Sequence, residues 1–373
     1  MQHVYLDHAA TTPMRAEAVE AMLPFLTVRF GNPSGAHAAG RDARRALEEA
    51  RDVIADALGC RPEEVVFTSG GTESDNTALG SAGEGSIVTS AIEHHAVLEP
   101  AMASGAAIAS VGRDGLIDLD SLADALDDQV RLVSVMLVNN EVGVIQPLGD
   151  IAKLVRDLAP RAALHTDGVQ ALPWLDVAAL AADAELVSVS AHKVGGPKGV
   201  GVLVVRTGTP FTPLLRGGGQ ERERRAGTQP VGLVAGFAAA VTATVAEREA
   251  TNARVSALRD RLADGLVDID GCVETGDRTR KVPGNVHVCF EGVDAEALVF
   301  LLEQGGVLAS AGASCASGAL ETSHVLTAMG VLDSLARGSL RLSLGHSSTT
   351  ADVDRALDVV PAAVDRLRAR GGG

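Results

Sequence analysis

The chain has 373 residues, which is long enough for one large and one smaller domain. Hydrophobic residues make up 46% and charged residues 21%, as is typical of a globular protein. Its formal net charge of −16 disfavours nucleic acid or an anionic membrane as a primary partner, because both select for basic surfaces. Aromatic residues make up only 2%, so we expect a core of Ala, Val and Leu.

The amino-terminal stretch MQHVYLDHAATTP lacks the charged-then-apolar pattern of a signal peptide, and no uninterrupted apolar run approaches the ~20 residues of a membrane span. Four cysteines are scattered along the chain without a CxxC pair: Cys60, Cys272, Cys289 and Cys315. Their spacing predicts neither a zinc knuckle nor a disulfide scaffold. We therefore expect a reduced, cytoplasmic setting and no membrane partner.

Short β-rich runs alternate with helical patterns between about residues 63 and 205. The predicted strands are EVVFTSG, SIVTS, AAIASV, RLVSVMLV, AALHTD, ELVSVS and GVGVLVV, and helical stretches such as TESDNTALG, DLDSLADALDD and DIAKLVRDLA lie between them. Near-continuous apolar strands that alternate with helices indicate an α/β fold with a mostly parallel sheet covered on both faces.

Residues 231–266 predict one long helix, because the stretch contains no proline and few helix breakers. Beyond it, NVHVCF, DAEALVFLLEQGG, SHVLTAMG, SLRLSLG and a final amphipathic helix form a mixed α+β pattern. This change of pattern places a domain boundary near residue 250.

Two loops after predicted strands contain candidate ligand groups. TSGGTESDN, residues 68–76, combines a glycine turn with a helix start, whose free N–H groups and positive dipole end suit a phosphate. SAIEHHAV supplies His94, whose imidazole could stack on a flat cofactor. Such loops are common, and a single loop histidine is usually only solvated.

A lysine and an aspartate follow two further strands. Lys193, in AHKVGG, could form a Schiff base, although the motif alone favours an ordinary surface-turn lysine. Asp167, in LHTDGVQ, follows another predicted strand, although the motif alone favours a helix cap or a turn residue. A pyridoxal phosphate site needs both groups, a lysine for the aldehyde and a carboxylate for the pyridine nitrogen. The glycine-containing loop, His94, Asp167 and Lys193 follow one another in this order along an α/β chain, and together they predict such a site.

The chain resembles the cysteine desulfurases of the NifS/IscS type, group I, in the class V branch of fold-type I pyridoxal phosphate enzymes. The resemblance runs nearly end to end, through YLDHAATTP, FGNPSGAH, FTSGGTESDN, EHHAV, VNNEVG, HTDGVQ, SVSAHKVGGPKGVG, RGGGQERERRAGT and SLRLSLG. It implies a large cofactor-binding domain over residues 15–250 with a mostly parallel sheet of the seven-stranded type. A smaller α+β domain, residues 1–14 and 251–373, would carry the catalytic cysteine loop.

The resemblance implies a role for each matching residue around pyridoxal 5′-phosphate. Lys193 would be the Schiff-base lysine, Asp167 would hold the pyridine nitrogen, Gln170 the ring hydroxyl, and His94 would stack on the ring. The cofactor phosphate would be bound by Gly71, Thr72, Ser190 and His192, and, across a homodimer, by Thr228 of the other subunit.

The resemblance also implies the substrate, L-cysteine, and the fate of its sulfur. Asn140 and Arg341 would orient the substrate, since the planar guanidinium suits an α-carboxylate. Cys315, in LASAGASCASGAL, would attack the substrate sulfur, become a persulfide and pass the sulfur to an acceptor. The Ala/Ser/Gly surroundings would allow that thiol to move. His94 is a candidate acid–base partner for it.

Two motifs depart from the family pattern. Ala311 and Ala313 replace serines before Cys315, and Ala226 replaces the serine of the usual Arg-Ser-Gly-Thr. Neither change removes a group assigned to chemistry. The other three cysteines are interpreted as structural or incidental, and Cys289 is placed on an apolar strand.

Three alternatives stay open at this stage. A selenocysteine lyase or a class V aminotransferase would use the same fold, and a desulfurase-like protein could act as a non-catalytic scaffold. The sulfur acceptor is also open among iron–sulfur cluster assembly, tRNA thiolation and DNA phosphorothioation. Cys315 could further serve as a transient iron–sulfur ligand on a bound scaffold protein.

Overall fold

A computed structural model describes residues 3–312 and 322–371 of the chain. Its strands, in chain order, are β1 (Val4–Tyr5), β2 (Val65–Thr68), β3 (Ser86–Ser90), β4 (Ala107–Ala109), β5 (Val130–Ser134), β6 (Ala163–Asp167), β7 (Leu186–Ser190), β8 (Gly201–Val205), β9 (Cys272–Glu274), β10 (Asn285–Phe290), β11 (Val307–Leu308) and β12 (Ser339–Ser343).

The helices are distributed along the whole described chain. They are α1 (Ala16–Leu26), α2 (Ala38–Ala57), α3 (Gly71–Gly80), α4 (His95–Ala103), α5 (Leu119–Ala125), α6 (Leu148–Leu158), α7 (Val177–Leu180), α8 (Val231–Val267), α9 (Ala295–Gln304), α10 (His324–Ala328), α11 (Asp333–Ala336) and α12 (Thr350–Gly371).

The seven strands β2 to β8 form one sheet in the order β2-β8-β7-β6-β5-β3-β4. All pairs are parallel except those of β8, which runs antiparallel to both β2 and β7. The predicted α/β fold with a mostly parallel seven-stranded sheet is therefore confirmed. Because β2, β3, β5, β6 and β7 point the same way, the loops after them meet at one edge of the sheet.

Two smaller sheets lie outside this layer. One pairs β12, β10 and β9 in antiparallel fashion, and the other pairs β1 with β11 in parallel. Through the second pairing, the amino-terminal strand packs onto a segment about three hundred residues later in the chain. The amino terminus is thereby fixed beside the residues that precede Cys315.

Helix α8 is the longest helix of the described chain, with 37 residues. By length and apolar composition it could cross a membrane, but half of its most apolar stretch is buried inside the protein. Helices α1, α2 and α12 pack against it. This packing accounts for its apolar residues, as in the core helix of a globular protein.

A buried ion pair fixes the loop that carries Thr228. Three successive residues of this loop, Glu221, Arg222 and Glu223, have positive φ angles of 47°, 55° and 65°, a conformation that L-residues rarely adopt. The Glu221 carboxylate accepts two hydrogen bonds from the Arg51 guanidinium, at 2.9 and 3.0 Å, and both side chains are almost fully buried. Burial acts to raise the pKa of Glu221, but the Arg51 hydrogen bonds hold it below its ordinary value.

We expect Glu221→Gln to lower the free energy of unfolding by about 3 kcal/mol, because it leaves the buried Arg51 charge without its main partner. Glu48 also contacts Arg51, at 3.1 Å, but its side chain is 44% exposed. Glu48→Gln is therefore the matched control, with an expected loss below about 1 kcal/mol. Urea unfolding of both variants measures the difference, and equal losses would contradict this account of the loop.

Candidate active site

Asp167 and Lys193 lie at the same edge of the large sheet because β6 and β7 are parallel neighbours. Asp167 is the last residue of β6, and Lys193 ends the short 3-10 turn, Ala191–Lys193, that follows β7. Burial raises the pKa of Asp167 to about 6, while the Val169 N–H and the positive charge of Lys193 act to lower it. The two predicted site residues thus interact electrostatically.

Backbone carbonyl groups of the amino-terminal segment hold the Lys193 side chain. Its Nζ atom donates hydrogen bonds to the Ala10 oxygen, at 2.9 Å, and to the Ala9 oxygen. The Gln170 Nε2 atom donates to the same Ala9 oxygen at 2.8 Å. Two residues predicted to contact the cofactor therefore converge on one carbonyl group.

His94 caps the amino end of α4 at this sheet edge. Its Nδ1 atom accepts a hydrogen bond from the Ala96 N–H at 3.1 Å. Burial, with the positive charge of Lys193 as the next cause, lowers the pKa of His94 to about 4. His94 therefore carries a neutral imidazole at neutral pH, within electrostatic reach of Lys193.

The amino end of α3 lies against the end of β7. A Cβ atom at Gly71 would lie 2.9 Å from Val169 Cγ2 and 3.9 Å from Ser190 Cβ, so a larger residue would displace Val169. The first N–H groups of α3, at Gly71 and Thr72, have no partner within the helix. Together with the buried Ser190 beside them, these N–H groups suit an anionic oxygen group.

His192 is held by the amino-terminal segment. Its Nδ1 atom is 3.1 Å from the Thr11 Oγ1 atom, and its carbonyl oxygen accepts from the Thr12 N–H and hydroxyl groups. Burial and, to a smaller extent, the charges of Lys193 and Lys198 lower the pKa of His192 to about 4. His192 is therefore neutral at neutral pH and lies beside Lys193.

Arg341, on β12, is buried and only partly satisfied. It donates from Nη1 to the Asn140 oxygen at 3.0 Å and from Nη2 to Asp7 Oδ1 at 2.8 Å. Its Nε atom is buried without a hydrogen-bond partner among the described residues. The structure thus places the Arg341 guanidinium on the Asn140 backbone carbonyl and adds Asp7 as a carboxylate already paired with it.

Two predicted residues are not placed in this cluster. Thr228 is exposed in the loop before α8, and Cys315 lies outside the described residues. The described chain on both sides of Cys315 ends near Arg341, however. Ser310 and Arg341 exchange backbone hydrogen bonds at 2.8 and 3.2 Å, and the Ser323 hydroxyl donates to Glu141 Oε2 at 2.6 Å, next to Asn140.

Sequence reasoning assigned no role to Asp7 or to the Ala9 and Ala10 carbonyl groups. Asp7 lies in the motif YLDHAATTP, which marks the family resemblance but does not indicate a role for this carboxylate. A backbone carbonyl has no signature in the sequence. Only the packing of the amino-terminal segment on the sheet edge reveals these contacts.

The described residues fit a flat cofactor with a phosphate group. Lys193 can bind an aldehyde, Asp167 can accept from a ring nitrogen, and the first N–H groups of α3, at Gly71 and Thr72, suit a phosphate. Within residues 3–312 and 322–371, no group of three or more His, Cys, Asp or Glu side chains could hold a metal ion.

Comparisons with known proteins place the chain in a family and a fold. The profile of the Aminotransferase class-V family matches residues 4–356. Cysteine desulfurase IscS of Methanosarcina thermophila is 44% identical over 376 residues, covering 98% of this chain and 93% of that protein. An IscS-like cysteine desulfurase of Mycobacterium tuberculosis (strain ATCC 25618 / H37Rv) is 44% identical over 383 residues, covering 98% of this chain and 97% of that protein. A solved NifS-like protein superimposes with a TM-score of 0.92 at 34% identity, covering 98% of this chain and 100% of that one.

Proposed function

The chain belongs to the class-V aminotransferase family and is a pyridoxal-phosphate-dependent cysteine desulfurase, and we propose that Lys193 and Cys315 carry out its two chemical steps. Lys193 would bind the cofactor aldehyde and then transfer protons, and Cys315 would receive the sulfur of L-cysteine. The observation that best supports this assignment is the convergence of Lys193, Asp167 and His94 at one sheet edge.

When bound, pyridoxal phosphate supplies an electron sink that makes the α-proton of an attached amino acid acidic. Asp167 would hold a proton on the ring nitrogen, Gln170 would donate to the ring hydroxyl, and His94 would lie against the ring. The phosphate would be bound by Gly71, Thr72, Ser190 and His192. The free N–H groups at the amino end of α3, which begins at Gly71, support the last assignment.

Arg341 would bind the carboxylate of L-cysteine, with Asn140 beside it. The guanidinium is fixed by Asp7 and the Asn140 carbonyl, so little of its side-chain entropy is lost on binding. Its unpartnered Nε–H can donate to one carboxylate oxygen. A substrate carboxylate at Nη2 would compete with Asp7, which lies 2.8 Å from that atom.

We expect Arg341→Lys to raise KM for L-cysteine by about 10- to 100-fold, because an ammonium group cannot make the two parallel hydrogen bonds of the guanidinium. Steady-state alanine formation measures this change. Arg337→Lys, on an exposed arginine four residues earlier, is the matched control and should leave KM unchanged. An unchanged KM in Arg341→Lys would place the carboxylate elsewhere.

Lys193 is suited to move the α-proton. Once its amine is released from the cofactor, the Ala9 and Ala10 carbonyl groups keep it at the same sheet edge. These carbonyl groups accept hydrogen bonds from either protonation state of the amine. Lys193 can therefore take a proton from the substrate Cα and return it to a neighbouring atom without leaving the site.

Sulfur transfer would then occur at Cys315. Its thiolate would attack the substrate sulfur, the substrate Cβ–S bond would break, and its electron pair would remain with the carbon skeleton. Cβ then takes a proton, so that alanine leaves and Cys315 keeps the sulfur as a persulfide. The neutral imidazole of His94 could remove the thiol proton.

Two observations on the described residues support Cys315 in this role. Burial raises the pKa of the thiols of Cys60, Cys272 and Cys289 to about 12, so none of these three is an activated nucleophile at neutral pH. The chain also enters and leaves the segment that contains Cys315 beside the substrate-binding residues assigned above.

The proposed reaction is tested by its products. With L-cysteine and a thiol reductant, the protein should release alanine and sulfide in equal amounts, without a 2-oxo acid. Transfer of the amino group to a 2-oxo acid would favour a class V aminotransferase. A strong preference for L-selenocysteine would favour a selenocysteine lyase, and no turnover of either amino acid would favour a non-catalytic scaffold.

The proposal includes a homodimer with shared active sites. Thr228 would contact the cofactor phosphate of the other subunit, and its exposure in its own chain leaves it accessible for that contact. A row of apolar side chains, each between 47% and 79% exposed, supplies a surface for a second copy: Val19, Leu23, Leu26, Val28 and Phe30. Light scattering of the purified protein measures the predicted mass of two chains.

Other parts of the proposal rest on the sequence and the relatives' names. The sulfur would pass to acceptor proteins, with iron–sulfur scaffold proteins first, since relatives carry the name IscS. Thiolation of tRNA and DNA phosphorothioation are further destinations, and Cys315 would be a transient cluster ligand only with a bound scaffold. We also propose a cytoplasmic location and no direct contact with nucleic acid or membrane. The chain would form two domains, a large one over residues 15–250 and a small one that combines residues 1–14 and 251–373.

A further inference from the structure

A buried polar cluster lies next to Asp167 and is not used in the reaction above: Asp75, His165, Ser188 and Ser134. We propose that Asp75 holds a proton at neutral pH, as a positioning residue that leaves Asp167 as the ionised carboxylate facing the cofactor. This inference rests on the proposed function, since the role of Asp167 toward the ring nitrogen is part of it.

The Asp75 carboxyl is buried without the partners that a charge requires. Its side chain, on α3, is 1% exposed, and its Oδ1 atom has no hydrogen-bond partner among the described residues. The nearest basic atom, His165 Nε2, is 3.6 Å from Oδ1, which is longer than a hydrogen bond. An ionised carboxylate in this position would have one hydrogen bond among the described residues, with the Ser188 side chain, and a buried charge needs more than one to be stabilised.

His165 does not supply a compensating positive charge. Both ring nitrogens face serine hydroxyl groups, with Nδ1 at 2.8 Å from Ser134 Oγ and Nε2 at 3.0 Å from Ser188 Oγ. A neutral imidazole satisfies both hydroxyls, as a donor to one and an acceptor from the other. Burial lowers the pKa of His165 to about 3, which also favours the neutral ring.

Asp75 lies close enough to Asp167 for the two carboxyl groups to interact electrostatically, and Ser188 lies beside both. The register of β6 and β7 pairs Asp167 with Ser188, and the Ser188 side chain hydrogen-bonds to Asp75. Burial raises the pKa of Asp75 well above its ordinary value, and the negative charge of Asp167 contributes to the increase. Only Asp167 has a backbone N–H donor, Val169 at 2.8 Å, and the charge of Lys193 to stabilise its ionised form.

The proton on Asp75 therefore has a defined consequence for the site. Two carboxylates side by side would repel each other and the cofactor phosphate. They would also bind the proton on the ring nitrogen more tightly than a single carboxylate does. A neutral Asp75 limits the negative charge at the ring nitrogen to that of Asp167. Asp75 lies on α3, four residues after Gly71, so one helix carries both this carboxyl group and the residues proposed to bind the phosphate.

Difference infrared spectroscopy of the full-length protein tests the proposal, with and without added pyridoxal phosphate. At neutral pH, we expect the wild-type spectrum to contain a carbonyl stretch of a protonated carboxyl group that is missing in Asp75→Asn. Glu93→Gln is the matched control, because burial raises the pKa of Glu93 to about 8 and its own signal must be assigned separately. No difference between wild type and Asp75→Asn would overturn the proposal.

The cofactor spectrum gives a second readout. Because Asp75→Asn replaces one neutral group with another, we expect the same pH midpoint for the cofactor absorbance band as in wild type. A shifted midpoint would show that a negative charge has been lost, and would contradict a protonated Asp75. If Asp75→Asn does not fold, Ser188→Ala should still shift the frequency of the Asp75 carbonyl stretch by removing its hydrogen-bond partner, and an unmoved band would contradict the assignment.

These measurements separate this inference from the proposed function. The infrared signal of Asp75 does not depend on substrate, on turnover or on Cys315. A normal Asp75 signal in a protein that does not release alanine from L-cysteine would count against the proposed function alone. An active desulfurase without that signal would count against the role of Asp75 alone.

Discussion

Lys193→Ala is expected to lower the rate of alanine formation from L-cysteine by about 10²- to 10⁴-fold, the range typical of removing a general acid–base group. The substitution deletes the amine that would bind the cofactor aldehyde, and no other lysine side chain contacts the Ala9 and Ala10 carbonyl groups among the described residues. We also expect the variant to lose pyridoxal phosphate on gel filtration, where the wild type retains it.

Lys198→Ala is the control for this substitution. Lys198 is exposed, lies five residues further along the same glycine-rich segment, and has no assigned role. Its removal should leave both turnover and cofactor retention within about twofold of wild type, as for most surface substitutions. A Lys193→Ala protein that keeps its cofactor and more than a tenth of its activity would contradict the assignment of Lys193.

Cys315→Ala is expected to reduce sulfide release from L-cysteine on the order of 10³-fold or more, as the loss of an enzymic nucleophile does. The thiol is the group that would break the substrate Cβ–S bond, and alanine has no atom that can accept the sulfur. Cofactor binding should be unchanged, because none of the residues assigned to the cofactor lies in this segment. Sulfide and alanine release in the presence of a thiol reductant measure the effect.

Cys272→Ala is the matched control for the thiol. Cys272 is half-buried and its raised pKa, about 12, keeps it protonated at neutral pH, so its removal should not change turnover. Both cysteine variants should also be assayed with L-selenocysteine. Undiminished release of alanine by Cys315→Ala from either amino acid would favour the selenocysteine lyase alternative.

Much of the fold could be predicted because its strands are short, apolar and separated by turn residues. SIVTS and ELVSVS, for example, correspond to β3 and β7, and the long helix predicted over 231–266 is α8. The order of the strands in the sheet could not be predicted, because it depends on contacts between distant segments. The domain boundary near 250 stays a prediction, since α8 continues through that position without interruption.

Part of the site could be predicted for the same physical reason. Lys193 and Asp167 each follow a predicted strand, and parallel neighbouring strands bring the residues after them together. The Asp7–Arg341 pair could not be predicted, because it joins residues 334 positions apart. The protonated Asp75 could not be predicted either, since TESDN gave no indication of how deeply its aspartate is buried.

The central claim is that sulfur from L-cysteine is transferred to Cys315, and peptide mass spectrometry after a single turnover tests it most directly. The protein, loaded with pyridoxal phosphate, would receive one equivalent of L-cysteine without reductant and be alkylated before digestion. We predict that the peptide with Cys315 gains the mass of one sulfur atom, in proportion to the alanine formed. Alanine formation with no added sulfur on that peptide, or with the sulfur on Cys60, Cys272 or Cys289, would contradict the claim.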